Sequence, residues 1–252
     1  MKAATTHMPE RYSTCLGLWI PYFEDYVISS DCDLGSEVQH VVSTTETGYG
    51  SCPPKLFNGL KWVVKEKSHC EWVFVMDDDT FINDINFRKI INELDPTRRT
   101  TYGRNMTGVH RWKGKRIKFF QGGTGTLIPM FIAREIVEKM AMEGWDWLTD
   151  IAHQPMYQDG FWGWHYTGEI PRWHQDDVKL GYFMERNDIE QVDLGEVMRF
   201  GPEDDVGPSE PEDILNRVAS HRYVYAPDMY RLKEVLDQRG SESSINLKKI
   251  QF

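Results

Sequence analysis

Three consecutive carboxylates, Asp77-Asp78-Asp79, stand directly after the apolar run Trp72-Val73-Phe74-Val75-Met76. Charges set side by side in this way repel one another unless a cation neutralises them. Oxygen ligands, with an imidazole added, suit Mn²⁺ or Mg²⁺ better than Zn²⁺. The competing reading is an acidic turn that caps the helix beginning near Asp84. A second acidic pair, Asp176-Asp177, can supply a general base or can simply be helix N-terminal carboxylates stabilised by the dipole. Between the two acidic sets, Gly122 and Gly123 lack Cβ atoms, which either admits a ligand close to the backbone or makes a bulge or tight turn. Trp162, Trp164 and Trp173 come just before the second acidic pair. Their indole faces can stack on sugar C–H surfaces, and they can equally pack a core.

Such residues need elements to position them, and the apolar pattern alternates short strands with helices, as an α/β fold does. Residues 26–30 and 41–45 read as short strands. After Pro53-Pro54, Leu56, Leu60, Val63 and Val64 recur at helical spacing. The continuous apolar run 72–76 marks a strand buried on both faces. Asp84 is placed as the cap of a helix that buries Phe87, Ile90, Ile91 and Leu94 and ends before Pro96. A further helix starts near Pro129 with Ile132, Ile136 and Met140 on one face, and a last one starts near Pro227, burying Leu232, Val235 and Leu236. In an open α/β sheet, ligands bind beyond the carboxyl ends of the strands, which is where Asp77-Asp78-Asp79 falls.

Composition narrows the function classes. The 252 residues carry 29 Lys+Arg against 39 Asp+Glu, a net charge of −10, which disfavours general binding to nucleic acid. Aromatics at 13% and hydrophobics at 40% exclude intrinsic disorder. No apolar run approaches the roughly 20 residues that span a bilayer. The N-terminal stretch shows no signal-peptide pattern, so no membrane segment is expected in this chain. The four cysteines all lie between Cys15 and Cys70 without a CxxC pair, leaving two disulfides and four thiols equally open. Between Asp95 and Glu135 there are nine Lys/Arg and no acid, which reads as a solvated basic hairpin or an anion-facing wall. From Glu196 to Asp213 seven acids and one Arg make an exposed loop. Asn105-Met106-Thr107 is a formal N-glycosylation acceptor, meaningful only in the secretory pathway.

The segment CEWVFVMDDDTFIN, Cys70 to Asn83, resembles the DxD region of Fringe-like glycosyltransferases, the inverting family that also holds β1,3-galactosyl- and N-acetylglucosaminyltransferases. Three further blocks follow in that family's order. FFQGGTGTL, Phe119 to Leu127, resembles its glycine-rich block. DDVKLG, Asp176 to Gly181, resembles its (D/E)DVxxG block. SHRYVYAPDMY, Ser220 to Tyr230, resembles its HxxxPxxM block. The resemblance spans about residues 1 to 237. It implies one GT-A domain with a mixed, mostly parallel central sheet flanked by helices. Residues 1–95 would be the nucleotide-sugar half, 96–237 the acceptor-binding and catalytic half, and 238–252 a tail.

By the same resemblance, Asp79 is the first metal ligand, His221 a second, and Asp77 and Asp78 contact the donor or the ion's water shell. Thr5, Thr6 and Arg11 resemble the nucleotide-binding loop, Asp31 a contact to uracil or ribose, and Lys55 a basic residue directed at the donor's phosphates. Gly122 and Gly123 are placed at the donor, and Asp177 is the base, with Asp176 as the fallback. Trp162, Trp164 and Trp173 would face the acceptor. The implied activity is metal-dependent transfer from a UDP-sugar to a glycan hydroxyl, with Mn²⁺ (or Mg²⁺) as cofactor. Galactose is favoured over N-acetylglucosamine, and β1,3 is the family's default linkage. The family's Golgi location goes with an anchor not seen in this sequence, so compartment stays open and the chain is expected to be complete or a module of a longer protein. Two rival readings remain, a silent carbohydrate-binding domain and a metal-dependent phosphohydrolase. The latter lacks the second dense ligand cluster of a two-metal site.

Overall fold

The computed structural model describes residues 1–3, 9–23, 25–45, 51–112, 115–143, 176–199, 216–221, 230, 233–235 and 237–238. Helix α1 (Pro9–Leu18) leads to β1 (Ile28–Ser30) and β2 (His40–Val42), then α2 (Cys52–Glu66) with its prolines in the first turn. Strands β3 (Trp72–Val75) and β4 (Thr80–Ile82) flank the acidic triplet and precede α3 (Asp84–Glu93). Next come β5 (Thr100–Gly103), the hairpin β6 (Asn105–Trp112) and β7 (Lys115–Phe120), β8 (Thr126–Pro129) and α4 (Met130–Glu143). Helix α5 (Asp176–Arg186), β9 (Glu190–Asp193), β10 (Met198–Arg199) and β11 (Ala219–His221) complete the described elements. The basic stretch therefore does form a hairpin, with a register irregularity between Thr107 and Arg111.

Strand β1 pairs in parallel with β2, and a separate ladder runs β3-β8-β5-β9. Lys2 joins them, because its backbone bridges Ser29 on one side and Asp77 on the other, both in parallel. The resulting order is β2-β1-Lys2-β3-β8-β5-β9. Strand β8 is antiparallel to both β3 and β5, while β5 and β9 are parallel, so β8 alone in this order runs against the rest. The expected mixed, mostly parallel sheet is thus observed. A second small sheet orders β10-β11-β4.

A parallel sheet must be covered on both faces. Leu56, Leu60, Ile132, Ile136, Phe183 and Met184 from α2, α4 and α5 bury one face together with Val73 and Ile128. Cys15, Leu18, Phe87 and Ile90 from α1 and α3 pack with Met76, Tyr102 and Leu127 on the other. Alternation along β3 divides its apolar run between the two layers, as the run predicts. Only Val73 is fully buried there, and all four residues of the strand border a cavity of about 230 Å³.

Two local details refine the sequence reading. The cap of α3 is Asn83, whose side chain accepts from the Asn86 N–H at 3.1 Å; Asp84 sits one residue inside as a first-turn acid. Gly181 is fixed by packing, since a Cβ there would lie 2.4 Å from the Lys118 carbonyl oxygen of β7. The glycine of DDVKLG therefore lets α5 press on the hairpin, setting where Asp176 and Asp177 come to rest. The helix expected from Pro227 lies largely outside the described residues, and no disulfide joins any of the four cysteines.

Candidate active site

Asp77, Asp78 and Asp79 occupy the tight connection from β3 to β4, at the carboxyl end of the parallel strands. Backbone pairing fixes this end: the Lys2 N–H donates to the Met76 carbonyl at 2.8 Å. The same lysine then turns its ammonium into the site. Nζ lies 2.9 Å from Asp77 Oδ1 and 2.5 Å from Asp176 Oδ2, with its side chain only 7% exposed. Burial works against the charge, but Asp176 and Asp77 outweigh it and hold the Lys2 pKa well above the ordinary lysine value. Arg11, on the inner face of α1, donates from Nη1 to Asp79 Oδ2 at 3.1 Å and stands 3.8 Å from Asp78 Oδ1. The buried Cys15 thiol donates to the Asp78 carbonyl oxygen at 3.3 Å. The repulsion within the triplet is thus met in part by two of the chain's own cations, Lys2 and Arg11.

Asp176 and Asp177 form the first turn of α5. Asp176 is committed to Lys2. Asp177 instead uses backbone donors: Oδ1 accepts from the Val178 N–H at 2.8 Å and Oδ2 from the Gly122 N–H at 3.3 Å. Burial, and then the neighbouring Asp176 charge, push the Asp177 pKa up to about 6, against the opposing pull of Lys2 and the two N–H groups. The helix-terminal reading thus holds for Asp177, at a carboxylate whose pKa is raised toward neutrality.

Gly122 to Thr124 make a 3₁₀ turn capped by Gln121, whose side chain accepts from the Thr124 N–H at 2.6 Å. A Cβ on Gly122 would lie 3.2 Å from the Asp177 Cβ, so close approach to this aspartate is what the glycine permits. Gly123 offers its carbonyl oxygen to Thr80 Oγ1 at 2.5 Å, tying the turn to the strand that follows the acidic triplet. Gly125 adopts φ +97°, and a Cβ there would fall 2.2 Å from Phe74 Cζ, so the turn into β8 needs a glycine.

Strand β11 is antiparallel to β4 with His221 opposite Thr80, which sets the His221 backbone across from the residue after Asp79. Asp31 and Lys55, expected as separate donor contacts, are buried and paired with each other, Nζ to Oδ2 2.9 Å. Thr5, Thr6, Trp162, Trp164 and Trp173 lie outside the described residues. The residue that sequence reading missed is Lys2. A lysine in an isolated β-bridge gives no periodic signal, and only the sheet order reveals that it stands between both acidic sets.

The family model described as Fringe-like matches residues 19–195, a span that holds Asp77 to Asp79, the glycine turn and Asp176-Asp177; Arg11 and His221 fall outside it. Among solved structures, a glycosyltransferase involved in the glycosylation of the major capsid of PBCV-1 matches with 11% identity and a TM-score of 0.48, over 94% of this chain and 97% of that one. No curated protein matches the sequence significantly. Among the described residues, no helix is long and apolar enough to cross a membrane.

Proposed function

The chain belongs to the Fringe-like family, a family of glycosyltransferases, and on that premise we propose that it is an inverting transferase that moves a sugar from a UDP-sugar to a glycan hydroxyl. The observation that supports the finer reading is Asp177, a carboxylate with a pKa raised to about 6, held by the Val178 and Gly122 N–H groups beside Asp176, which Lys2 ties to Asp77 of the triplet. An inverting displacement needs a base opposite the leaving group, and a carboxylate titrating near neutrality can take the acceptor's proton as its oxygen attacks the sugar C1. Asp176 is the fallback base only in sequence, because its Oδ2 is already on Lys2.

Asp79, Asp77 and His221 are the residues that would hold Mn²⁺ or Mg²⁺; oxygen donors with one imidazole fit such an ion. When bound, the metal would neutralise the departing diphosphate as a Lewis acid. Arg11, already at Asp79 and Asp78, orients that end of the triplet and adds positive charge facing the donor. The Gly122 N–H fixes the base oxygen. A β linkage follows from inversion at an α-linked donor; galactose before N-acetylglucosamine, and β1,3, remain the family-weighted choices.

Calorimetric titration of UDP-sugars with Mn²⁺ and then EDTA tests this, on the wild type and on Asp79→Ala. Metal-dependent binding of one UDP-sugar, lost in the variant, followed by glycosylated product with an acceptor, is the expected result. If folded protein binds no UDP-sugar, or binds it regardless of metal, the transferase mechanism is wrong as written and a silent carbohydrate-binding domain takes its place.

A further inference from the structure

The other end of the sheet carries a second set of metal-ligating groups, unrelated to the transferase reading. Asp25 precedes β1, and His69 and Cys70 precede β3, so the three meet at the amino ends of the strands whose carboxyl ends form the acidic site. We propose that Asp25, His69 and Cys70 bind one Zn²⁺, leaving a fourth position to water. The ligand atoms, a carboxylate oxygen, an imidazole nitrogen and a thiol sulfur, all lie within 4.8 Å of one another. His69 Nε2 is 3.0 Å from Asp25 Oδ2, and Cys70 Sγ is 3.6 Å from the same oxygen. Zinc bonds of about 2.0–2.3 Å in a tetrahedron require ligand-to-ligand edges of about 3.3–3.6 Å, so small side-chain shifts make the site.

The surroundings are consistent with that assignment. Lys67 Nζ sits 2.5 Å from Asp25 Oδ1, which leaves Oδ2 as a one-oxygen ligand. The Cys70 N–H closes a turn on the Lys67 carbonyl at 3.0 Å, presenting His69 and Cys70 together. The His69 side chain is 68% exposed, so an ion can enter from solvent. A thiolate and an imidazole favour zinc over the hard ions suited to the acidic triplet. Binding would release the thiol proton to solvent, and the imidazole would keep its proton on Nδ1. Among the described residues no other cysteine lies in such a cluster.

Cobalt(II) titration of the metal-free full chain tests the proposal, because only a thiolate-ligated cobalt shows thiolate charge-transfer absorption in the near ultraviolet. The expected result is that band at one ion per chain, displaced by Zn²⁺, lost in Cys70→Ser and His69→Ala, and retained in Asp79→Ala. Zn²⁺ should also raise the melting temperature of the wild type but not of either loop variant. Absence of the band, its survival in Cys70→Ser, or its loss in Asp79→Ala would each overturn the site. Should Cys70→Ser not fold, the exposed His69→Ala decides the question by the same readouts.

Discussion

Asp176 and Asp177 are chemically identical neighbours with opposite circumstances. Asp176 has a buried ammonium 2.5 Å from its carboxylate, whereas Asp177 pairs with no cation among the described residues and rests on two backbone N–H groups. One is ion-paired with Lys2 and the other is left with a pKa raised to about 6. A single lysine set against one of two adjacent acids is enough to give them different surroundings, one ion-paired and one held by backbone N–H groups. The same division runs through the triplet, where Lys2 takes Asp77 and Arg11 takes Asp79.

The comparison can be broken most severely at Asp177. Asp177→Asn is expected to lower kcat by about 10²–10⁴-fold while leaving donor binding in place, read by steady-state kinetics beside calorimetry. Because its folded pKa is raised above the unfolded value, ionised Asp177 costs stability above about pH 6, and the cost fades as pH falls from 6 toward 4. The stability of the Asn variant relative to wild type should therefore shift in the variant's favour as pH rises from 4 to 7, as measured by denaturant melts. Lys2→Met strikes the anchor instead, leaving Asp176 and Asp77 without their shared cation. A loss of about 3–5 kcal/mol in denaturant unfolding is expected.

Two gentler tests sharpen the contrast. The wild-type rate under saturating donor should fall as pH drops through about 6, where Asp177 gains its proton. In whatever folded Lys2→Met remains, that limb should move to higher pH, because the lysine's charge had been favouring the carboxylate; an unmoved limb would separate Lys2 from the base. Gly122→Ala puts a methyl group 3.2 Å from the Asp177 Cβ and should cost activity on the order of 10-fold through displacement of the base, with little change in the donor's Kd.

Much of this was legible in the residues themselves. The apolar run before Asp77 announced a buried strand, and the stripe Phe87, Ile90, Leu94 announced α3, because burial and period are local properties of a sequence. The ordered blocks brought Gly122, Asp177 and Asp79 to one site. What could not be read depended on pairing between distant strands. Asp31 and Lys55 each looked like a donor contact, and only folding revealed that they satisfy one another. Lys2 gave no local sign at all, and the cap of α3 moved by one residue to Asn83 because a capping side chain is selected by backbone geometry that composition does not record.

The Lys2–Asp176 contact also has a kinetic meaning, since it closes a chain segment of 174 residues. Contacts of such span form only after their loop-closure entropy has been met by intervening structure. A nascent or partly refolded chain can already possess β3, the three aspartates and α2 and still lack a base at the right distance from them. The Lys2–Asp176 pair is therefore expected to form late in folding, once α5 has docked beside the sheet.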